Sequence, residues 1–231
     1  MTILVSAILC FLLQSSLLSW TVRLYQSSGW SGSPGLLLAD RLVYALLMPG
    51  LGLLLLFYLA PRLLSISVGS PRFPLFREGT NRLAGLVWAL IGALLLFGMV
   101  YLVSELLQPS RQSAGLAAEI RRSPALGLFL VTTGLLTPVL EELYYRGILQ
   151  QYLGRSSDKG GGLRGALVSI LVQAICFSLV HARNGPGPAL MLFVGGLGLG
   201  ILYWRYGLAS SILAHSSYNL AILLQFQAST G

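Results

Sequence analysis

Long, unbroken apolar runs constrain the fold of this chain more than any other feature. Hydrophobic residues make up 55% of the sequence and charged residues only 10%, and the mean hydropathy is +0.77. A soluble domain carries about a quarter charged residues, so this sequence cannot cover a water-exposed surface. The apolar content also excludes a disordered chain, and runs without alternation disfavour a transmembrane β-barrel. We therefore predict a polytopic helical membrane protein.

The apolar runs also set the expected number of membrane spans, since each helical crossing needs about 20 residues. The predicted spans are Thr2–Trp20, Leu36–Leu59, Leu83–Leu107, Pro124–Leu153, Leu163–His181, Ala189–Tyr206 and Leu208–Phe226. The predicted fold is an all-α transmembrane helical bundle of about seven spans, with a range of about six to eight. No room is left for a separate soluble domain.

The charge distribution indicates what kind of surface the basic residues contact. Its net charge is +8, from 15 basic and 7 acidic residues. Most are arginines scattered among the loops between apolar runs, which favours contact with anionic lipid headgroups over nucleic acid. Cys10 and Cys176 both lie inside apolar runs, so no disulfide framework is expected. We expect a multi-pass protein of a prokaryotic plasma membrane or an organelle membrane.

Two adjacent carboxylates lie within the fourth predicted span. Glu142 and Arg146 are four residues apart, so they share a helix face and can neutralise each other. Glu141 points about 100° around the helix and lacks this partner. A charge at bilayer depth costs at least about 2.5–3.5 kcal/mol, so Glu141 must find another partner, hold a proton or meet water. A purely structural ion pair beside a protonated acid is the alternative.

The chain's 2 histidines, His181 and His215, lie on two further predicted helices. His215 shares a helix face with Asn219, and each histidine alone could be structural. Together with the glutamates, these groups suit hydrolysis of a carbonyl, because a carboxylate or imidazole can activate water and His or Asn can donate to an oxyanion. The same side-chain types could hold a metal ion. They could also form a proton relay in a transporter, although no internal repeat is evident.

Three short motifs, one on each of these helices, carry a resemblance to a known family. They are Glu141-Glu142-x-x-x-Arg146, Phe177-x-x-x-His181 and His215-x-x-x-Asn219. With the glycine-rich stretch Gly196–Asn219, they resemble the CPBP family of CAAX proteases and bacteriocin-processing enzymes, also called Abi or type II CAAX prenyl endopeptidases. The resemblance covers Thr133–Leu224. It implies an all-helical intramembrane endopeptidase, with N-terminal helices and loops in 1–123 and a catalytic helical core in 124–231 of one membrane domain.

The resemblance also implies a role for each motif residue. Glu141 would activate the attacking water, assisted by His181. His215 and Asn219 would stabilise the oxyanion. Glu142 would pair with Arg146 and hold the shape of the site, in agreement with the helix-face argument.

The resemblance is less informative about the cofactor and the substrate than about the residue roles. No metal is expected to be required, because the same residues suffice for acid–base and oxyanion chemistry. If zinc or another divalent ion is present, Glu141, His181 and His215 are its expected ligands. The expected substrate is a membrane-associated peptide or protein, and the compact chain makes a prenylated CAAX substrate less expected. A non-catalytic immunity or scaffold protein of the same family is the alternative function.

Overall fold

The computed structural model describes residues 74–107, 126–157, 162–181 and 186–228, and all regular structure in these ranges is helical. The α-helices are α1 (Arg82–Leu107), α2 (Leu126–Val131), α3 (Thr137–Glu142), α4 (Gln151–Ser157), α5 (Leu163–His181), α6 (Pro186–Tyr206) and α7 (Leu208–Ala228). Two π-helical segments, Thr132–Leu136 and Leu143–Gln150, join α2 to α3 and α3 to α4. Residues 126–157 therefore form one continuous helix, which we call the composite helix.

The last five predicted spans correspond to α1, the composite helix, α5, α6 and α7. The first two, Thr2–Trp20 and Leu36–Leu59, lie outside the described residues. The all-helical class is confirmed for the described part of the chain, while the count of seven spans stays a prediction. The helix α6 begins at Pro186, earlier than the predicted Ala189. Its start within the Pro-Gly-Pro sequence follows from the preference of proline for the first turn, where no intrahelical donor is needed.

The bundle buries several large polar side chains together with an apolar core, and it exposes many large apolar side chains. The largest fully buried side chains include those of Arg146, Gln173 and Glu142. In contrast, Leu94 on α1 and Leu167 on α5 are 71% and 57% exposed. Two helices of the described chain, containing Arg82–Met99 and Pro186–Tyr206, are long and apolar enough to cross a membrane. Exposed apolar side chains around buried, paired polar groups are the arrangement expected of helices in lipid.

The composite helix changes its hydrogen-bond register just before the two glutamates. The N–H of Thr137 donates to the carbonyl of Thr132, five residues back, instead of to Thr133. The next residue, Pro138, has no N–H to donate. Such π-helical segments are rare and often occur at functional sites. The 3.6-residue pattern of apolar side chains predicts a helix here but gives no sign of this shift.

The packing of α1 depends on the turn between α6 and α7. Gly207 forms that turn with a φ of +100°, in the left-handed region that glycine adopts without strain. The segment before α1 lies directly on the turn: Arg77 N–H donates to the Tyr206 carbonyl at 3.1 Å and Ala209 N–H donates to the Leu75 carbonyl at 2.8 Å. A Cβ on Gly207 would stand 2.8 Å from three backbone atoms of this segment. The contact fixes the start of α1 against α6 and α7, with which it packs.

Candidate active site

A buried ion pair forms the base of the site. Arg146 Nη1 donates to Glu142 Oε1 at 2.7 Å, and both side chains are fully buried. The predicted pairing on one helix face is therefore present. The imidazole of His215, on α7, adds a second hydrogen bond at 2.9 Å between its Nδ1 and the same Glu142 oxygen. This bond ties the composite helix to α7 at the level of the two glutamates.

Glu141 lies between the two histidines. Its Oε1 is 3.9 Å from His181 Nε2 and its Oε2 is 3.7 Å from His215 Nε2. These separations are too long for direct hydrogen bonds. They are short enough for one small polar molecule to contact both the carboxylate and an imidazole. The three side chains from three helices therefore meet around one position.

Hydrogen bonds at Nδ1 set the orientation of both imidazoles. His181 Nδ1 lies 2.8 Å from the carbonyl oxygen of Phe177, and a carbonyl can only accept. His181 Nδ1 therefore carries a proton. His215 Nδ1 faces the Glu142 carboxylate in the same way. In each ring the Nε2 atom is left to face Glu141, because the partner of one ring nitrogen determines the role of the other.

The ring of Phe177 packs between the charged groups and the histidines. Its centroid lies 5.0 Å from that of His181 and 5.9 Å from that of His215. The Arg146 guanidinium lies 4.9 Å from the same ring centroid, within the range of a cation–π contact. Phe177 is only 2% exposed. The first residue of the Phe177-x-x-x-His181 motif thus supports its histidine through both its ring and its carbonyl.

The side-chain amides of Gln150 and Gln173 form a layer beside Arg146, which we call the amide layer. The sequence analysis did not predict it. Gln173 Nε2 donates to the Gly196 carbonyl at 2.8 Å, and Arg146 Nη2 approaches the same oxygen at 3.4 Å. Gln150 Nε2 donates to the Gly200 carbonyl at 3.0 Å. The available sequence signal was weak: Gln150 lies eight residues after Glu142 on the same helix, and Gln173 interrupts an apolar run.

Two glycines of α6 make this layer possible. A Cβ on Gly196 would lie 3.1 Å from the Ala174 backbone, and one on Gly200 would lie 2.6 Å from Gln173 Nε2. Around Gly198 a Cβ would meet no atom within 4 Å. The close packing expected of small residues in membrane helices is thus required at Gly196 and Gly200 and not at Gly198.

Asn219 lies one helical turn beyond His215 and contacts the composite helix. Its Nδ2 donates to the Thr133 carbonyl at 3.0 Å. An amide nitrogen carries two hydrogens, so this bond leaves one available. The structure therefore places Asn219 beside the π-helical segment, with a donor to spare.

Exposure increases across the site from Glu142 toward His181. The Glu142 side chain is 0% exposed, His215 6%, Glu141 12% and His181 20%. His181 is the last residue of α5, whereas Glu141 lies near the middle of the composite helix. The site is therefore displaced toward one end of α5, the direction in which the exposure of its side chains increases.

Glu141, His181 and His215 are the residues that would hold a metal ion at this site. Among the residues that the structure describes, no group of three or more His, Cys, Asp and Glu side chains is arranged to hold a metal ion. The facing donor atoms of these three side chains are 3.7 and 3.9 Å apart.

An acid flanked by two oriented imidazoles has the side chains that general acid–base catalysis requires. Residues 123–221, which contain all three motifs, match the family model of the Rce1-like type II CAAX prenyl endopeptidases. This match agrees with the resemblance to the CPBP family that the three motifs carry, and the matched family consists of integral membrane proteins. The match covers less than half of the 231 residues. No curated protein and no solved structure matches the chain.

Proposed function

We propose that the protein is an intramembrane endopeptidase in which Glu141 activates a water molecule for attack on a peptide carbonyl. The observation that carries the proposal is the position of Glu141, whose two oxygens face His181 Nε2 at 3.9 Å and His215 Nε2 at 3.7 Å. A molecule between these groups can give a proton to Glu141 while another contact orients it. The Rce1-like family match supports the reaction class.

The two imidazoles take different roles in the proposed mechanism. His181, protonated on Nδ1 by its bond to the Phe177 carbonyl, offers the Nε2 lone pair to the attacking water. His215 lies against both glutamates. The proposed role of His215 is that of a donor, with an N–H on Nε2 that faces the substrate.

The proposed reaction has two steps. Glu141 takes a proton from water, and the water oxygen bonds to the peptide carbon while the carbonyl oxygen becomes an oxyanion. His215 Nε2–H and the free Asn219 N–H donate to that oxyanion. The C–N bond then breaks as Glu141 passes its proton to the leaving amine. Throughout, Glu142 and Arg146 hold His215 in place without contacting the substrate.

We propose that this chemistry needs no metal. A carboxylate base with two donors for the oxyanion is a sufficient catalytic set. The Nδ1 atoms of both histidines are already engaged by Phe177 and Glu142, which fixes the rings for proton transfer.

The proposed substrate is a peptide or protein attached to the membrane. The apolar exterior of α1 and α5 suits a lipid environment, and the increase in exposure toward His181 gives access from the end of α5. The matching family is described as type II CAAX prenyl endopeptidases. A prenylated C-terminal segment is one member of this substrate class and can be compared directly with other lipid-anchored peptides.

The proposal is tested with purified protein in liposomes. Peptides of one sequence are offered in soluble, acylated and C-terminally prenylated forms, and the products are identified by mass spectrometry in H₂¹⁸O. We expect cleavage of an anchored form, with ¹⁸O in the new carboxylate and a slower reaction of the soluble form. If none of the anchored peptides is cut and proton-coupled flux appears instead, the endopeptidase assignment is wrong.

A further inference from the structure

We propose that Pro138 positions the oxyanion donor Asn219 by withholding a backbone N–H. Pro138 is fully buried and lies three residues before Glu141. Nothing in the proposed chemistry uses its side chain. The inference rests on the proposed function, because it concerns the part that Asn219 plays there.

The Thr133 carbonyl loses its intrahelical partners for two separate reasons. In a regular α-helix its donor would be the N–H of Thr137, but that N–H donates to Thr132 instead. If the π register continued by one residue, the donor would be position 138. That residue is proline, which has no N–H. The carbonyl is therefore left for a donor from outside the composite helix.

Asn219 supplies that donor. Its Nδ2 reaches the Thr133 oxygen at 3.0 Å from the facing helix α7. Because a carbonyl accepts and cannot donate, this bond also decides which end of the amide faces the composite helix. It fixes the Asn219 plane and thus the direction of its second N–H. With the π register extended by one residue, a backbone N–H at position 138 would compete for the same oxygen and free the amide to rotate.

The direct test is Pro138→Ala, with Pro188→Ala as the matched control. Pro188 lies in the first turn of α6, where an added N–H has no intrahelical acceptor to compete for. Alanine favours a helix more than proline does, so Pro138→Ala should melt at the same temperature as the wild type or higher. We expect Pro138→Ala to lower kcat by up to about 10²-fold, the cost of misplacing a catalytic group, with KM unchanged. Pro188→Ala should keep the wild-type kcat.

A double-mutant cycle with Asn219→Ala separates positioning from a general structural effect. If Pro138 acts through Asn219, Pro138→Ala has no further effect once Asn219 is removed, and the double mutant matches Asn219→Ala within about twofold. The inference is overturned if Pro138→Ala leaves kcat of the wild type unchanged, or lowers kcat by the same factor in both backgrounds.

The inference can also be tested without an activity assay, by observing the Asn219 side-chain amide directly. The sequence contains three asparagines, at positions 81, 184 and 219, so ¹⁵N-asparagine labelling gives three resolvable side-chain amides. In Pro138→Ala the Asn219 amide should shift and exchange its hydrogens faster, while Pro188→Ala leaves it unchanged. An unaltered Asn219 signal in Pro138→Ala overturns the positioning role. If the wild type cleaves no peptide, the proposed function fails separately and this signal alone decides the inference.

Discussion

His215 Nδ1 and Glu142 Oε1 are joined by a 2.9 Å hydrogen bond between α7 and the composite helix. The same oxygen accepts from Arg146 at 2.7 Å. One atom thus connects the structural ion pair to an imidazole that faces Glu141. The two adjacent acids therefore have different roles. Glu142 stabilises the fold through its bonds to Arg146 and His215, and the Glu141 carboxylate remains available for catalysis.

Removing the charge of Glu142 should destabilise the fold. In Glu142→Gln the buried Arg146 guanidinium loses its counter-ion, and breaking such a pair typically costs about 3–5 kcal/mol. The measurement is chemical or thermal unfolding in detergent micelles. Glu141→Gln, whose carboxylate makes no such short contact to a cation, should unfold within about 1 kcal/mol of the wild type. Equal stability of both variants would contradict the division of roles.

The two histidines should differ when each is replaced by alanine. His181→Ala should lower kcat by about 10²-fold or more, as expected for loss of a proton-transfer partner, and should leave the melting temperature near that of the wild type. His215→Ala should lower both kcat and stability, because Glu142 loses its interhelical donor. Activity assays and melting curves on the same preparations check this. A larger loss of stability in His181→Ala than in His215→Ala would contradict the roles given to the two histidines.

The amide layer predicts that alanine substitutions at Gly200 and Gly198 have opposite effects on the free energy of unfolding. Gly200→Ala would place a Cβ 2.6 Å from Gln173 Nε2, and overpacking of this kind costs about 1–3 kcal/mol. Gly198→Ala has open space around it and should stabilise α6 by up to about 1 kcal/mol, because alanine favours a helix over glycine. Unfolding measurements on the two variants test the layer. It would be disproved by a Gly200→Ala protein as stable as Gly198→Ala.

Activity should persist when metals are removed. We expect unchanged kcat/KM after prolonged dialysis against a chelator, and elemental analysis of the active protein should give far less than one zinc per chain. Loss of activity that zinc restores, together with loss of that effect in His181→Ala, would show that the histidines bind a metal and would replace the mechanism proposed above.

Sequence patterns predicted the parts of the site that depend on spacing within one helix. The four-residue separation of Glu142 and Arg146 was enough to pair them, and it left Glu141 without a partner. The five long helices that the structure describes were predicted from apolar length, and two of them are long and apolar enough to cross a membrane. None of this required knowledge of how the helices pack.

Those sequence patterns could not predict the contacts between helices. The bond from Asn219 to Thr133 depends on a register shift that apolar periodicity does not reveal. The role of Gln173 depends on the Gly196 carbonyl of a neighbouring helix, so in the sequence it is only a polar residue in an apolar run. The resemblance implied the roles of the motif residues, while the structure supplies the distances between them.

The most direct test of the account compares Glu141→Gln with Glu78→Gln in liposomes that contain an anchored peptide. Glu78 is exposed in the segment before α1, so its variant controls for the loss of one carboxylate. The account predicts that Glu141→Gln loses about 10²–10⁴-fold in kcat/KM with an unchanged melting temperature, while Glu78→Gln cleaves like the wild type. Cleavage by Glu141→Gln at the wild-type rate would contradict it.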